Sequence, residues 1–477
     1  MKQVRKYIYP VLPVLGVLFY LIYLHRSAID MVYSDYIRLI NSYLPDVWNP
    51  DKFFVPDLLT RIPVNYLERG INVCLFGYSV TFDRIMGVMS FGLAGLVLAS
   101  YSRSHRIHSV WYAAVMAVMF SLNKWEMLYN GTGWAHFLAF ACFYYNYLVL
   151  DRVYAGHEKK GDRIRLILFP AFTTICVAGP YCAIYSMTLL LSYGFLFVRG
   201  RIQGTAGKYR RFSEKQLMIL GICTVLPLFL YLWSNSQAVY EYSGAVDEPI
   251  LTALMREPKF FLTFFLKSFS SMIFGVELIS RHMAWLPGEV LCLLGLFVIG
   301  AYVLAIWMNF YYRLHETTIL PLMLLAAGGM NHLLVLVTRW IFMPNDLYGM
   351  SSRYALQYQV GILGILLTFG LAARMGYRRK KEKSISPAAV RGLSVLIAAV
   401  FVAGNLVTSA EEFSHGVNRK IYNEEVREVL LDFENRTEEE LKSRLEFHKD
   451  GTREALTILK EHGWNIFKET KEQEGLS

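Results

Sequence analysis

Long apolar runs, each near the length that crosses a bilayer, are the feature of this 477-residue chain that most limits its fold. The hydrocarbon core of a membrane takes a helix of about 20 apolar residues. The runs lie at residues 8–24, 81–101, 110–122, 134–150, 166–198, 217–233, 289–308, 318–337, 355–373 and 390–407. Charged residues make up 18% of the chain, below the roughly 25% of a soluble domain. The predicted fold class is therefore an all-α polytopic membrane protein, and a conventional soluble enzyme or a disordered chain is excluded.

Two segments decide how many times the chain crosses. The run at 166–198 has 33 residues, and Gly179-Pro180 near its middle interrupts helical hydrogen bonding, so two short helices are predicted. The segment 260–279 is interrupted by Lys267 and Glu277, which favours an interfacial or re-entrant helix over a span. About eleven spans follow, within a range of ten to thirteen.

Basic stretches predict the orientation. They lie at residues 103–108, 152–165, 199–215 and 374–383, the last containing Arg378-Arg379-Lys380-Lys381. Because Lys and Arg concentrate in cytoplasmic loops, we place all four stretches and the N-terminus in the cytoplasm and the C-terminus outside. The same excess of Lys and Arg in cytoplasmic loops explains the net charge of +10, which therefore does not indicate a nucleic-acid partner.

Three regions are predicted to lie outside the membrane under this topology. They are the loops 25–72 and 234–288, expected to contain interfacial helices, and the tail 409–477. The tail holds 17 acidic and 11 basic residues, with leucines at helical spacing, and is predicted to be a small helical extracytoplasmic appendage. The domain boundary is therefore placed between a transmembrane module, 1–408, and the tail, 409–477.

The first outer loop contains the main candidate for a catalytic group, Asp35. Ser34 and Asp35 precede a helical pattern that ends at Pro45, so the pair fits the N-cap of a short helix. A carboxylate at the mouth of a cavity also fits a general base that takes a proton from an attacking hydroxyl. The two interpretations are compatible, and the neighbouring Tyr36 is a candidate contact for a sugar or acceptor.

A second outer loop, between the predicted third and fourth spans, adds another carboxylate and aromatic rings to the same face. Glu126 is a candidate second acid or metal ligand. Trp125 and Trp134 fit either an interfacial aromatic belt or stacking on a sugar. His136, two residues inside the next span, is either a packed helix residue or a sugar contact.

The outer loop before the tenth predicted span offers groups for binding phosphate. Arg353, within Ser351-Ser352-Arg353-Tyr354, has a guanidinium whose donors match phosphate oxygens, although an arginine here also fits snorkelling to headgroups. Tyr354 is grouped with it. Lys267 and Arg281 form a second cationic set for the same phosphate, unless they belong to a solvated loop face.

This layout resembles the GT-C superfamily of membrane glycosyltransferases, and within it a bacterial, glucosyltransferase-like branch. The resemblance lies in the span count, in Asp35 within Tyr33-Ser34-Asp35-Tyr36 of the first outer loop, in the long loop 234–288, and in Arg353-Tyr354. It covers residues 1–407 and leaves the tail outside. The resemblance implies a multi-pass enzyme of the bacterial plasma membrane that moves a sugar from a polyprenyl-phosphate donor to a glycan, lipid or protein acceptor on the outer face.

The same resemblance implies roles for individual residues. Asp35 would be the catalytic base, Glu126 a second acid and Arg353 a ligand of the donor phosphate. Several members of the family have two adjacent acidic residues in the first loop, whereas Ser34 precedes Asp35 here. A divalent cation, Mg²⁺ or Mn²⁺, is therefore an open expectation.

Other functions remain compatible with the sequence. A lipid-linked polysaccharide polymerase or ligase would share the substrates but rely more on arginine and histidine. A lipid-oligosaccharide flippase or transporter would carry charged residues in mid-span and repeated halves, and no repeat is visible. A non-catalytic scaffold is also compatible. The sequence does not specify the sugar, the acceptor or the oligomeric state.

Overall fold

The computed structural model describes residues 2–54, 63–203, 211–236, 245–376, 386–447 and 449–468, and every regular element in these residues is helical. Helices α1 to α7 cover Lys2–Ser27, Asp35–Tyr43, Pro63–Phe76, Val80–Ser104, Ser109–Met119, Trp125–Tyr129 and Trp134–Ala155. Helices α8 to α13 cover Asp162–Phe172, Cys182–Gln203, Glu214–Asn235, Ile250–Arg256, Pro258–Ser270 and Val276–His282. Helices α14 to α19 cover Gly288–Tyr311, Leu320–Arg339, Ser352–Arg374, Pro387–Leu431, Glu438–Arg444 and Thr452–His462.

Within the described part of the chain, eight helices are long and apolar enough to cross a membrane: α1, α4, α9, α10, α14, α15, α16 and α17. This agrees with a polytopic, all-α membrane protein. The three other predicted spans fall on α5, α7 and α8. Helices α5 and α8 have 11 residues each, about 17 Å of helix, and α7 is long enough but less apolar. The count of eleven spans and the orientation therefore stay predictions, and the basic cluster Arg378-Arg379-Lys380-Lys381 lies outside the described residues.

The two segments that decided the predicted span count are both broken. The run at 166–198 is interrupted at Gly179, which has a φ of +52°, and a π-helical turn, Thr173–Val177, precedes the break. Helix α10 packs against both α8, which precedes the break at Gly179, and α9, which follows it. The segment 260–279 forms α12 and the start of α13, two helices of 13 and 7 residues that are too short to cross.

Helix α16 lies at the centre of the bundle, where its apolar stretch is wholly buried by its neighbours. It packs closely on α15, because a side chain on Gly328 would collide with the backbone of Gly361. Such contacts between small residues let membrane helices approach without a hydrophobic driving force. The N-terminal end of this buried helix carries Arg353.

The tail shares a hydrophobic core with the predicted first outer loop, separate from the core of the bundle. The buried members of this second core include Tyr36, Ile40, Val73, Leu430, Leu441, Leu456 and Leu459. The Ser34 amide donates to the Leu445 carbonyl at 2.6 Å, and the Val32 amide donates to Asn465 Oδ1 at 3.0 Å. The leucine spacing thus predicted helices correctly, and these helices pack onto the first loop.

Helix α17 runs across the predicted domain boundary. It runs for 45 residues without a break, through Ser409, and at about 1.5 Å per residue it is roughly twice as long as a bilayer core is thick. Its first half lies in the bundle and its second half carries the tail. Residues 408 and 409 therefore lie within one continuous helix.

Candidate functional site

An ion pair between Glu126 and Arg353 lies at the centre of the candidate site. Helix α16 begins at Ser352, and the side chain of Ser351 accepts a hydrogen bond from the Arg353 amide. Arg353 Nε donates to Glu126 Oε1, and the Ser352 hydroxyl donates to Glu126 Oε2 at 3.1 Å. The Arg353 side chain is 49% exposed. This arrangement fixes the guanidinium through one nitrogen and leaves its fork of donors available for an anion.

Asp35 lies near this pair. It is the first residue of α2, and Ser34 makes no side-chain capping bond, so the predicted N-cap arrangement is wrong although the short helix is present. Its carboxylate lies 3.7 Å from Arg38 and interacts electrostatically with Arg353. The side chain is 37% exposed, which leaves it accessible to a substrate hydroxyl.

Glu277, on α13, is a second acid beside Glu126 that was missed as a site residue in the sequence. Burial raises the pKa of the Glu277 carboxyl, and the nearby negative charge of Glu126 raises it further. Burial has the largest effect, so the pKa of Glu277 lies above its ordinary value. The available signal was an ionisable residue interrupting an apolar segment, which in a membrane protein indicates a functional position.

Trp125 is in the site but has one face covered. The Arg419 guanidinium lies 3.7 Å from the centre of its ring. Arg419 is held by both oxygens of Glu412, and the Tyr23 hydroxyl donates to the same carboxylate at 2.6 Å. Stacking of a sugar on that face of Trp125, as expected from the sequence, would require Arg419 to move.

Tyr36 and Trp134 line a separate small cavity formed by α2, α3 and the starts of α4 and α7. The Tyr36 hydroxyl donates to Asp83 at 2.7 Å, and Asp83 interacts electrostatically with Glu68 on α3. Burial raises the pKa of Glu68, and the adjacent Asp83 raises it further. The cavity is about 20 Å³, enough for one water molecule and too small for a sugar.

His136 and Tyr354 are both packed in the protein. His136 is buried, with its ring edge-on to Tyr181 at 4.9 Å. Tyr354 is buried beside Tyr348, with ring centres 6.1 Å apart. Neither side chain presents an open face for a sugar or a phosphate.

The predicted second cationic set is divided between two other ion pairs. Lys267 Nζ donates to Asp346 at 2.7 Å, on the loop before α16. Arg281 and His282 both approach Glu411 of α17, at 3.5 and 2.9 Å. The described contacts therefore group neither Lys267 nor Arg281 with Arg353. Both residues lie on helices, and the buried Lys267 does not fit the alternative of a solvated loop face either.

The described residues do not fit a divalent cation. They contain no group of three or more His, Cys, Asp and Glu side chains arranged to hold a metal ion. Glu126 is paired with Arg353, and Asp35 lies beside Arg38. No step of a reaction is therefore assigned to a metal.

Comparison of the chain with protein-family models, with curated proteins and with solved structures gives no match in any of the three. A proposal for the function therefore depends on the geometry of the site and on the membrane-spanning fold.

Proposed function

We propose that this protein is a membrane glycosyltransferase. It moves a sugar from a polyprenyl-phosphate donor to a hydroxyl acceptor on the outer face of the plasma membrane. The observation that carries the proposal is the meeting of Asp35, Glu126 and Arg353, which come from three distant parts of the chain. An accessible carboxylate and a fixed, half-exposed guanidinium are the two groups that such a transfer requires.

Asp35 acts as the general base. The acceptor hydroxyl attacks the anomeric carbon of the sugar, a new carbon–oxygen bond forms, and the hydroxyl proton passes to the Asp35 carboxylate. Positioned bases of this kind contribute about 10²- to 10⁴-fold in rate. One base is sufficient, because the phosphate leaving group needs no protonation.

Arg353 stabilises the leaving group. The bond between the anomeric carbon and the phosphate oxygen breaks, and its electron pair stays on the phosphate, which gains a negative charge. A donor fork aimed at that oxygen stabilises the transition state more than the ground state. Glu126 holds the guanidinium in place through Nε and is a positioning residue.

The depth of the site fits a lipid-linked donor. Arg353 is the second residue of a helix long and apolar enough to cross the membrane, so its guanidinium lies at the membrane boundary. A polyprenyl chain stays in the bilayer while its phosphate reaches the surface, where this arginine meets it.

The test is a transfer assay with the full chain in liposomes. A panel of polyprenyl-phosphate hexoses labelled in the sugar is added, and release of label from the lipid fraction is measured. Asp35→Asn is expected to reduce turnover by about 10²-fold or more, and Arg353→Gln to reduce it and weaken donor binding. Asp46→Asn, in an exposed position of the same loop, is the matched control and should keep wild-type turnover. Unchanged turnover in Asp35→Asn, or no consumption of any donor by the wild type, would refute the proposal.

A further inference from the structure

A long groove lies at the end of the bundle opposite the candidate site. It is bounded by α5, the end of α16 and the start of α17, with Tyr9 of α1 at one side, and it encloses about 1410 Å³. The candidate site uses the other ends of the same helices, since Arg353 begins α16 and Glu412 lies in the second half of α17. The groove is therefore independent of the proposed reaction.

The walls of the groove are apolar and mostly small. Alanines line both sides of it, and larger apolar side chains stand open, with Val110 68% and Val395 50% exposed. Gly392 has no atom within 4 Å of the position a Cβ would take, so the groove is unfilled at that point. An apolar channel of this size on a membrane helix bundle fits hydrocarbon chains.

One end of the groove is cationic. Arg106, Arg374 and Arg391 line it, together with His108, whose Nδ1 accepts a hydrogen bond from the Val110 amide. None of the described residues that line the groove is acidic. The charge of this end is therefore complementary to an anion.

The apolar part of the groove has the length of one leaflet. From Arg391 to Val402 the α17 wall rises about 17 Å, at 1.5 Å per residue. Half of a hydrocarbon core is about 15 Å. The cationic end therefore lies at headgroup level when the rest of the groove lies among acyl chains.

We propose that this groove binds an anionic glycerophospholipid from the adjacent leaflet, with its acyl chains along α5 and α17 and its phosphate against Arg106, Arg374 and Arg391. Basic pockets between membrane helices bind acidic lipid headgroups in this way. The apolar walls hold the chains, and the arginines select the headgroup.

Lipid binding is measured by native mass spectrometry of the delipidated full chain with phosphatidylglycerol or phosphatidylcholine at equal concentration. The wild type is expected to retain phosphatidylglycerol preferentially. The double variant Arg374→Gln, Arg391→Gln should lose about fivefold in affinity for each arginine. Lys215→Gln removes an exposed cation at the start of α10 and should leave lipid binding unchanged.

Two further arms test whether the lipid lies in the groove and whether its acyl chains are needed for binding. Gly392→Trp fills the groove and should abolish retention of phosphatidylglycerol, whereas Gly300→Trp, at an equally open position on α14, should not. Inorganic phosphate at the same concentration should not displace the lipid. Equal retention of both lipids, no effect of either groove variant, or displacement by phosphate would overturn the proposal.

Discussion

Arg353 Nε donates a hydrogen bond to Glu126 Oε1 across 227 residues of sequence, and the Ser352 hydroxyl binds the other oxygen of the same carboxylate at 3.1 Å. The start of the central helix α16 is thereby tied to the short helix α6. Because Glu126 binds Arg353 through Nε, the pair orients the guanidinium without using all its donors. The fold therefore presents a fixed cation beside Asp35.

Glu126→Gln is expected to weaken binding of the lipid donor. A hydrogen bond to a charged group contributes about 1.5–3 kcal/mol, so loss of the carboxylate charge should raise the donor KM by about tenfold and lower kcat less. Steady-state kinetics in liposomes measures both constants. Glu257→Gln, an exposed residue at the end of α11, is the control. A fall in kcat with an unchanged KM would instead assign Glu126 a direct part in the chemistry.

Glu277→Gln is expected to change the pH dependence of donor binding. Burial raises the pKa of Glu277, so raising the pH through this value adds a negative charge beside Glu126. That charge opposes binding of a phosphate at Arg353, and donor affinity should fall as the pH rises. The variant stays neutral and should lack this fall. Parallel pH profiles of donor KM in the wild type and the variant would contradict this role.

Glu68→Gln is expected to stabilise the protein increasingly as the pH rises. The pKa of Glu68 is raised in the folded state, so between its unfolded value of about 4.3 and its folded value the native state binds more protons. The stability that Glu68 contributes is complete below the unfolded pKa and is lost as the pH rises through the folded pKa. Gln does not titrate, so the Tm of the variant minus that of the wild type should be larger at pH 8 than at pH 5. Equal differences at both pH values would show that Glu68 does not titrate in this way.

Leu456→Ala is expected to destabilise the tail together with the first outer loop. Leu456 is fully buried in the core that the two regions share, and truncation of such a leucine costs about 2–5 kcal/mol. Limited proteolysis should then cut both the tail and residues 28–50 faster than in the wild type. Thr457→Ala, one position further along α19 and exposed, should behave as wild type. Faster cleavage of the tail alone would mean that the two regions fold independently.

The predictions that held from the sequence alone concern local properties. The run 166–198 was expected to break at Gly179-Pro180, and it does, because proline and glycine disrupt helical hydrogen bonding wherever they occur. Residues 260–279 were expected not to cross, and two short helices are present. The contacts of Tyr36, Trp134 and Lys267 could not be predicted in this way, because each depends on a partner distant in sequence. Tyr36 binds Asp83, Trp134 interacts with Glu68, and Lys267 binds Asp346.

The sequence by itself determined that the chain is a helical, multi-pass membrane protein, because the length and apolarity of each run decide whether a helix can satisfy its backbone inside a bilayer. Only the tertiary structure decided that Glu277 joins Glu126, that the tail completes the core of the first loop, and that Lys267 and Arg281 are paired elsewhere. These contacts depend on how helices far apart in the chain pack against one another. Hydrophobic length is a property of one segment, whereas a side-chain contact is a property of two.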